Sequence, residues 1–122
     1  MSKTDSVSLQ MQELLDDYVE EVQTVTNESI DETAAEACEK LRNTSPKGAT
    51  GRYAKGWAVK KDGDGRVVYN KTDYQLTHLL ENGHAIVNQY GTFGRVAPIK
   101  HIKPVEEWAQ TELPIRISRG LS

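Results

Sequence analysis

The chain has 122 residues, 37% of them hydrophobic, eight aromatic side chains and a formal net charge of −3. That size predicts one domain able to bury a core without disulfides or metal, and no run approaches the ~20 apolar residues of a membrane span. The N-terminus lacks the basic-then-apolar pattern of a secretory signal, and the single Cys38 has no internal partner, which predicts a soluble chain made in a reducing cytoplasm.

The first predicted element is a long helix over Ser8 to Arg42. Met11, Leu15, Tyr18, Val22 and Val25 recur at alternating spacings of four and three, and Ile30, Ala34, Ala37, Cys38 and Leu41 continue the stripe; this is the helical period, not the strand period. Lys40 and Arg42 fall in the last turn, where the macrodipole favours cations, and Asn43-Thr44-Ser45-Pro46 stops the helix. Unbroken, it would reach roughly 50 Å, longer than the body of a domain this size is wide. Two readings stay open: part of the stripe needs a partner chain, or the helix lies wholly on its own sheet. The weak helix formers Thr24, Thr26, Asn27 and Ser29 mark the place for a break.

Lys47 to Gly51 reads as a loop without the Gly-Lys-Ser/Thr ending of a phosphate cradle. Arg52 to Asn70 reads as a β-hairpin, with Tyr53, Trp57 and Val59 on one face and Asp62-Gly63-Asp64-Gly65 as its turn. Asp62 and Asp64 do not continue into a calcium loop, because Arg66 and Val67 occupy ligand and glycine positions. A short helix follows, with Thr72 and Gln75 as a capping box, Leu76, Leu79 and Leu80 as its buried face, and Gly83 as a positive-φ stop. Ala85 to Gln89 reads as a short strand, Tyr90 to Gly94 as a mobile Gly-rich loop, and Arg95 to Ile99 as a strand whose Pro98 suits an edge. Pro104 sits in the first turn of a last helix with Val105, Trp108, Ala109 and Leu113 on its buried face. Pro114 ends or kinks that helix, leaving Ile115 to Leu121 as an edge strand or an arm onto a neighbour. The fold class is α+β: a long N-terminal helix, an antiparallel sheet of three or four strands with a β-hairpin, and two shorter helices.

Charge divides the chain at residue 46. Residues 1–46, the acidic amphipathic helix, carry eleven acids against Lys3, Lys40 and Arg42, a net of −8; residues 47–122, the basic α+β body, carry seven acids against twelve bases, a net of +5. The two segments together make one domain. Either the halves attract each other within one chain, or copies pack head to tail, acidic arm on basic body. The bases are dispersed rather than gathered in a stripe, so no specific nucleic-acid partner is expected. The three histidines, His78, His84 and His101, lack metal-ligand spacing, and Cys38 sits on the apolar stripe. No metal, cofactor or catalytic residue is predicted. The enzymatic alternative is a small metal-dependent nucleic-acid-processing enzyme, with His84 or His101 as base beside Glu81.

Leu76 to His84, L-T-H-L-L-E-N-G-H, and Gly94 to Trp108, G-R-V-A-P-I-K-H-I-K-P-V-E-E-W, resemble a family of small neck and tail-completion proteins of long-tailed bacteriophages. The shared features are a leucine-rich helix ending at a Glu-x-Gly-His turn, a Gly-rich loop, and a Pro-x-x-His segment leading into a C-terminal helix. Here the structural motif is Glu81, Gly83, His84, Pro98 and His101, and the resemblance covers roughly the last two-thirds of the chain. It implies a virion protein of a phage or prophage, present in the host cytoplasm during assembly, that completes the tail and joins it to the head, as a ring. Its partners would be copies of itself and other neck and tail proteins. Met11, Leu15, Tyr18 and Val22 on the long helix, with Tyr90, Phe93 and Arg95 around the Gly-rich loop, are the candidate interface residues.

Overall fold

A computed structural model describes residues 3–88 and 91–122, and the side chains of residues 6–83 and 97–122. The chain opens with α1 (Lys3–Thr44), one helix of 42 residues, about 63 Å long at the usual rise. No break occurs at Thr24–Ser29. Local propensity is weak there, but Ser29 and Thr33 are buried in the stretch of α1 that packs along α4 (Ile102–Leu121), and tertiary packing overrides propensity.

Helix α4 runs antiparallel to α1. The Lys40 ammonium lies 4.7 Å from the Trp108 ring centre, Arg116 bridges Glu36 at 2.7 Å, and a Cβ added at Gly120 would collide with Val25. One sequence expectation is corrected here. The helix starts at Ile102, with Pro104 in its first turn as expected, but it runs through Pro114 to Leu121, so Ile115–Leu121 is neither strand nor free arm. An internal proline forfeits one helical hydrogen bond. The turns beyond it are held instead by Arg116 between Glu36 and Glu112 and by the close approach at Gly120.

Between these helices the expected hairpin is shorter than read. Arg52–Lys55 is a single helical turn, α2, so Tyr53 and Trp57 are related by helical rather than strand spacing. The strands are β1 (Trp57–Asp62) and β2 (Gly65–Asn70), antiparallel, with Asp62 opposite Gly65. Gly63 takes φ 59° in the two-residue turn. Trp57, Val59 and Lys61 share a face with Asn70, Val68 and Arg66; this face meets α1, where Arg66 pairs with Asp31.

Helix α3 (Leu76–Asn82) begins at Gln75 without a side-chain cap. The expected Thr72–Gln75 box does not form, because the Thr72 hydroxyl turns instead to Asn70 Oδ1 and the Arg52 carbonyl. Leu76 and Leu80 pack on the core, while Leu79 is exposed. Gly83 has φ 74° and ψ 174°: positive φ as expected, but extended in ψ, which sends the chain straight into β3 (His84–Asn88). Strand β3 pairs antiparallel with β4 (Gly91–Val96), with a register shift between Ala85 and Val87. The strand expected at Arg95–Ile99 therefore lies earlier, and Gly91–Gly94, read as loop, is in it. Among the described residues the four strands form two separate two-stranded sheets, not one sheet of three or four strands.

The core is small. Ala37, Cys38 and Leu41 from α1 meet Tyr53, Trp57 and Val105, with Val68, Leu76, Leu80, Ile102 and Trp108 partly buried around them. A fully buried large apolar side chain contributes about 1.5–3 kcal/mol, so this cluster leaves polar ties between the elements with a large share of the work.

Candidate functional site

The polar ties converge on the start of α4. The first N–H groups of a helix have no partner within it. Glu81, at the end of α3, supplies one from outside. Its Oε1 accepts the backbone N–H of His101 at 2.8 Å and of Ile102 at 2.9 Å, and its Oε2 accepts that of Lys103 at 2.9 Å. The next residue, Pro104, has no N–H to satisfy. The carboxylate also places negative charge at the positive end of the α4 dipole.

His101 is the most deeply buried side chain here, 1% exposed. Its Nδ1 lies 2.7 Å from the Ile99 carbonyl and 3.1 Å from Glu81 Oε1. Both are acceptors, so Nδ1 carries a hydrogen, and in the neutral ring Nε2 accepts from the Tyr53 hydroxyl at 2.7 Å. The Tyr53 ring stands edge-on to both His101 and Trp57. Trp57 Nε1 donates to Ser45 Oγ at 2.8 Å, and its carbonyl accepts from the Arg42 guanidinium at 2.9 Å. Asn70, also buried, donates to the Tyr53 carbonyl at 2.7 Å and accepts the N–H groups of Thr72 and Asp73. One continuous network thus ties the C-terminus of α1, α2, the end of β2, α3 and the start of α4.

Electrostatics follow from this placement. Burial works to raise the Glu81 pKa, but the three backbone N–H donors, with His101 beside them, outweigh it and hold the carboxyl below its ordinary value. Burial pushes the Tyr53 phenol up to about 12, and the Glu81 charge adds to the effect. Burial likewise raises the Cys38 thiol, which is unreactive in kind. A general base needs an open lone pair facing its substrate. Both Glu81 oxygens and both His101 nitrogens are engaged inside the protein, so the pair is built as a helix clamp.

A second feature lies at the other end of the molecule. Helix α4 ends at Leu121, beside Val25, and α1 continues past it toward Lys3. On that projecting stretch Met11, Leu14, Leu15, Tyr18 and Val19 are each more than half exposed, Leu14 at 69%, and Val22 is half-buried. Large apolar side chains exposed in one contiguous stretch are the mark of a contact surface.

The sequence-predicted residues are distributed as follows. Met11, Leu15, Tyr18 and Val22 lie together on the projecting helix. Glu81 and His101 meet in the clamp, and Gly83 ends α3 two residues after Glu81. Pro98 is exposed in the segment leading to His101. His84 lies on β3, and Phe93 and Arg95 on β4, with side chains outside those described; Tyr90 lies outside the described residues altogether. Tyr53, Asn70 and Ser45 were not foreseen as site residues. For Asn70 a signal existed: Asn-x-Thr-Asp after a strand is an Asx-turn pattern. The partners of Glu81 lie twenty or more positions downstream, where no local pattern reaches.

The sequence model of the HK97-gp10-like family, described as "Bacteriophage HK97-gp10, putative tail-component", matches residues 9–83. The match takes in most of α1, the β1–β2 hairpin and all of α3 with Glu81 and Gly83. It stops short of the Pro98–His101 segment, so it reaches further toward the N-terminus than the motif resemblance and less far toward the C-terminus. No curated protein and no solved structure matches the chain.

Proposed function

The chain belongs to the HK97-gp10-like family of bacteriophage tail components, and we propose that it completes the tail and joins it to the head as a ring of identical copies. It acts as structure, not as an enzyme, and its partners are its own copies and the neighbouring neck and tail proteins. Residues 1–46 serve as an acidic arm and 47–122 as a basic body of one unit.

The observation that carries this reading is the exposed apolar seam of Met11, Leu15 and Tyr18 on a helix that outruns its own domain. Burying such side chains against another chain is favourable by about 25 cal/mol per Å². A helix seam at one end and oppositely charged surface at the other suit heterologous contacts, which close into rings when the rotation permits. Tyr90, Phe93 and Arg95 are assigned to contacts with neck proteins on the same reading. Light scattering on the full chain and on Leu15→Asp/Tyr18→Asp tests it. The full chain is expected to form a closed oligomer, visible as rings by electron microscopy, and the double variant a folded monomer that fails to complete tails. A full chain that stays monomeric both alone and on purified tails would overturn the ring.

A further inference from the structure

The seam on α1 needs a receiving surface, and charge decides between the candidates. Ahead of Val25 the helix carries six acids, Asp5, Glu13, Asp16, Asp17, Glu20 and Glu21, against Lys3 alone. Pairing one arm with another arm would set these rows of acids side by side, and like charges juxtaposed across an interface cost several kcal/mol. The body carries the complementary sign. Its lysines at 47, 55, 60, 61, 71 and 103 are all exposed, whereas Arg52, Arg66 and Arg116 are already paired within the chain.

Part of that basic surface is also apolar and concave. Between the loop after α1 and helix α3 lies an open groove floored by Pro46, Ala49, Leu76 and Leu80, with Lys47 at its edge beside the Arg52–Asp73 ion pair. Other depressions fit the arm poorly. The one between α1 and α4 is lined by Glu28, Glu32, Glu36 and Glu112, and the one beside Lys103 holds more acids than bases, Glu81, Glu106 and Glu107 against Lys100 and Lys103. The groove is also a firm surface. Tyr53, which lines it, is fixed by His101 behind it, and α3 is fixed by the hydrogen bonds that Glu81 accepts from the start of α4.

We infer that the groove between residues 46–52 and α3 is the docking site for the α1 arm of a second copy, with the Leu14, Leu15 and Tyr18 stretch seated on Ala49, Leu76 and Leu80 and the flanking acids against Lys47. This inference rests on the self-association proposed above and adds its geometry. The contact is heterologous, so each copy both gives an arm and receives one.

Two full-length single-cysteine additions test it, Leu15→Cys on the arm and Ala49→Cys in the groove, with the native Cys38 left in place because it is buried. Under mild oxidation the mixture is expected to give a disulfide-linked pair containing one copy of each, and neither variant alone a linked dimer. A Leu15→Cys homodimer would mean arm on arm, and an Ala49→Cys homodimer groove on groove; either overturns the docking site while leaving self-association standing. An oligomer by light scattering with no mixed cross-link also overturns it. A wild-type chain that is monomeric, with no cross-link in any mixture, removes self-association itself. As a second measure, Ala49→Trp fills the groove at an exposed loop position. It is expected to weaken association about tenfold at an unchanged unfolding midpoint; wild-type association by this variant counts against the site.

Discussion

Glu81 caps a helix it does not belong to: its carboxylate holds the backbone N–H of His101 at 2.8 Å, twenty residues downstream. With the two further N–H groups it receives, it forms a charged link between the end of α3 and the first turn of α4. Hydrogen bonds to charged groups contribute about 1.5–3 kcal/mol each at most, and removal strands buried donors. Glu81→Ala is therefore expected to cost about 3 kcal/mol in urea unfolding, with an unchanged slope against denaturant. An unshifted midpoint would mean the clamp is dispensable. The effect carries a pH signature. The folded-state pKa is depressed, so this stability is fully present above the ordinary carboxyl value and is lost as pH falls through the folded value. The gap between wild type and Glu81→Gln should be widest near neutrality and close in acid.

Tyr53→Phe removes the donor that satisfies His101 Nε2. Leaving that nitrogen buried and unpaired is expected to cost about 1–3 kcal/mol. The phenol pKa is raised to about 12, so its stabilising contribution is present below the unfolded value of about 10 and is lost as pH rises through 12. Alkaline unfolding of wild type should coincide with tyrosinate absorbance, and Tyr53→Phe should lose that component. An identical alkaline profile for the two proteins would place the linkage elsewhere.

Gly83 sits at φ 74° and ψ 174°, a region that residues with a Cβ scarcely enter. Gly83→Ala should destabilise by about 1–3 kcal/mol, read as a lowered melting temperature. No change would show that the turn after α3 relaxes without glycine.

Deleting residues 1–21 cuts ahead of the contact between Val25 and Gly120 and ahead of buried Ser29. The shortened chain is expected to keep the melting temperature of the full chain and to lose association. A large drop in melting temperature would place the arm in the fold of the single copy.

Elements carried by local rules were legible in the sequence. The three-and-four spacing from Met11 to Leu41 gave the long helix, Asp-Gly-Asp-Gly the hairpin turn, and Gly83 the end of α3. Misreadings occurred where a distant contact overrides a local rule. Thr24–Ser29 stays helical because α4 packs alongside, and Pro114 is tolerated because Arg116 and Gly120 are held on α1. Tyr53 and Trp57 fit either period, and the backbone N–H groups of Lys55 and Gly56, donating to the Gly51 and Tyr53 carbonyls, show the helical turn to be the one used. The interface candidates on α1 were readable as a stripe. That Glu81 serves α4 was not, because its ligands are backbone groups that carry no sequence mark.

Because α1 passes without interruption from the exposed seam into the core, its residue count is a length standard. One residue inserted between Glu21 and Val22 would advance the arm by about 1.5 Å but swing every apolar side chain beyond it by about 100° around the axis. Seven inserted residues would return the seam to within about 20° of its direction and extend the reach by about 10 Å. Whatever receives the arm is therefore addressed by angle and distance together, and tolerates insertions by sevens far better than by ones.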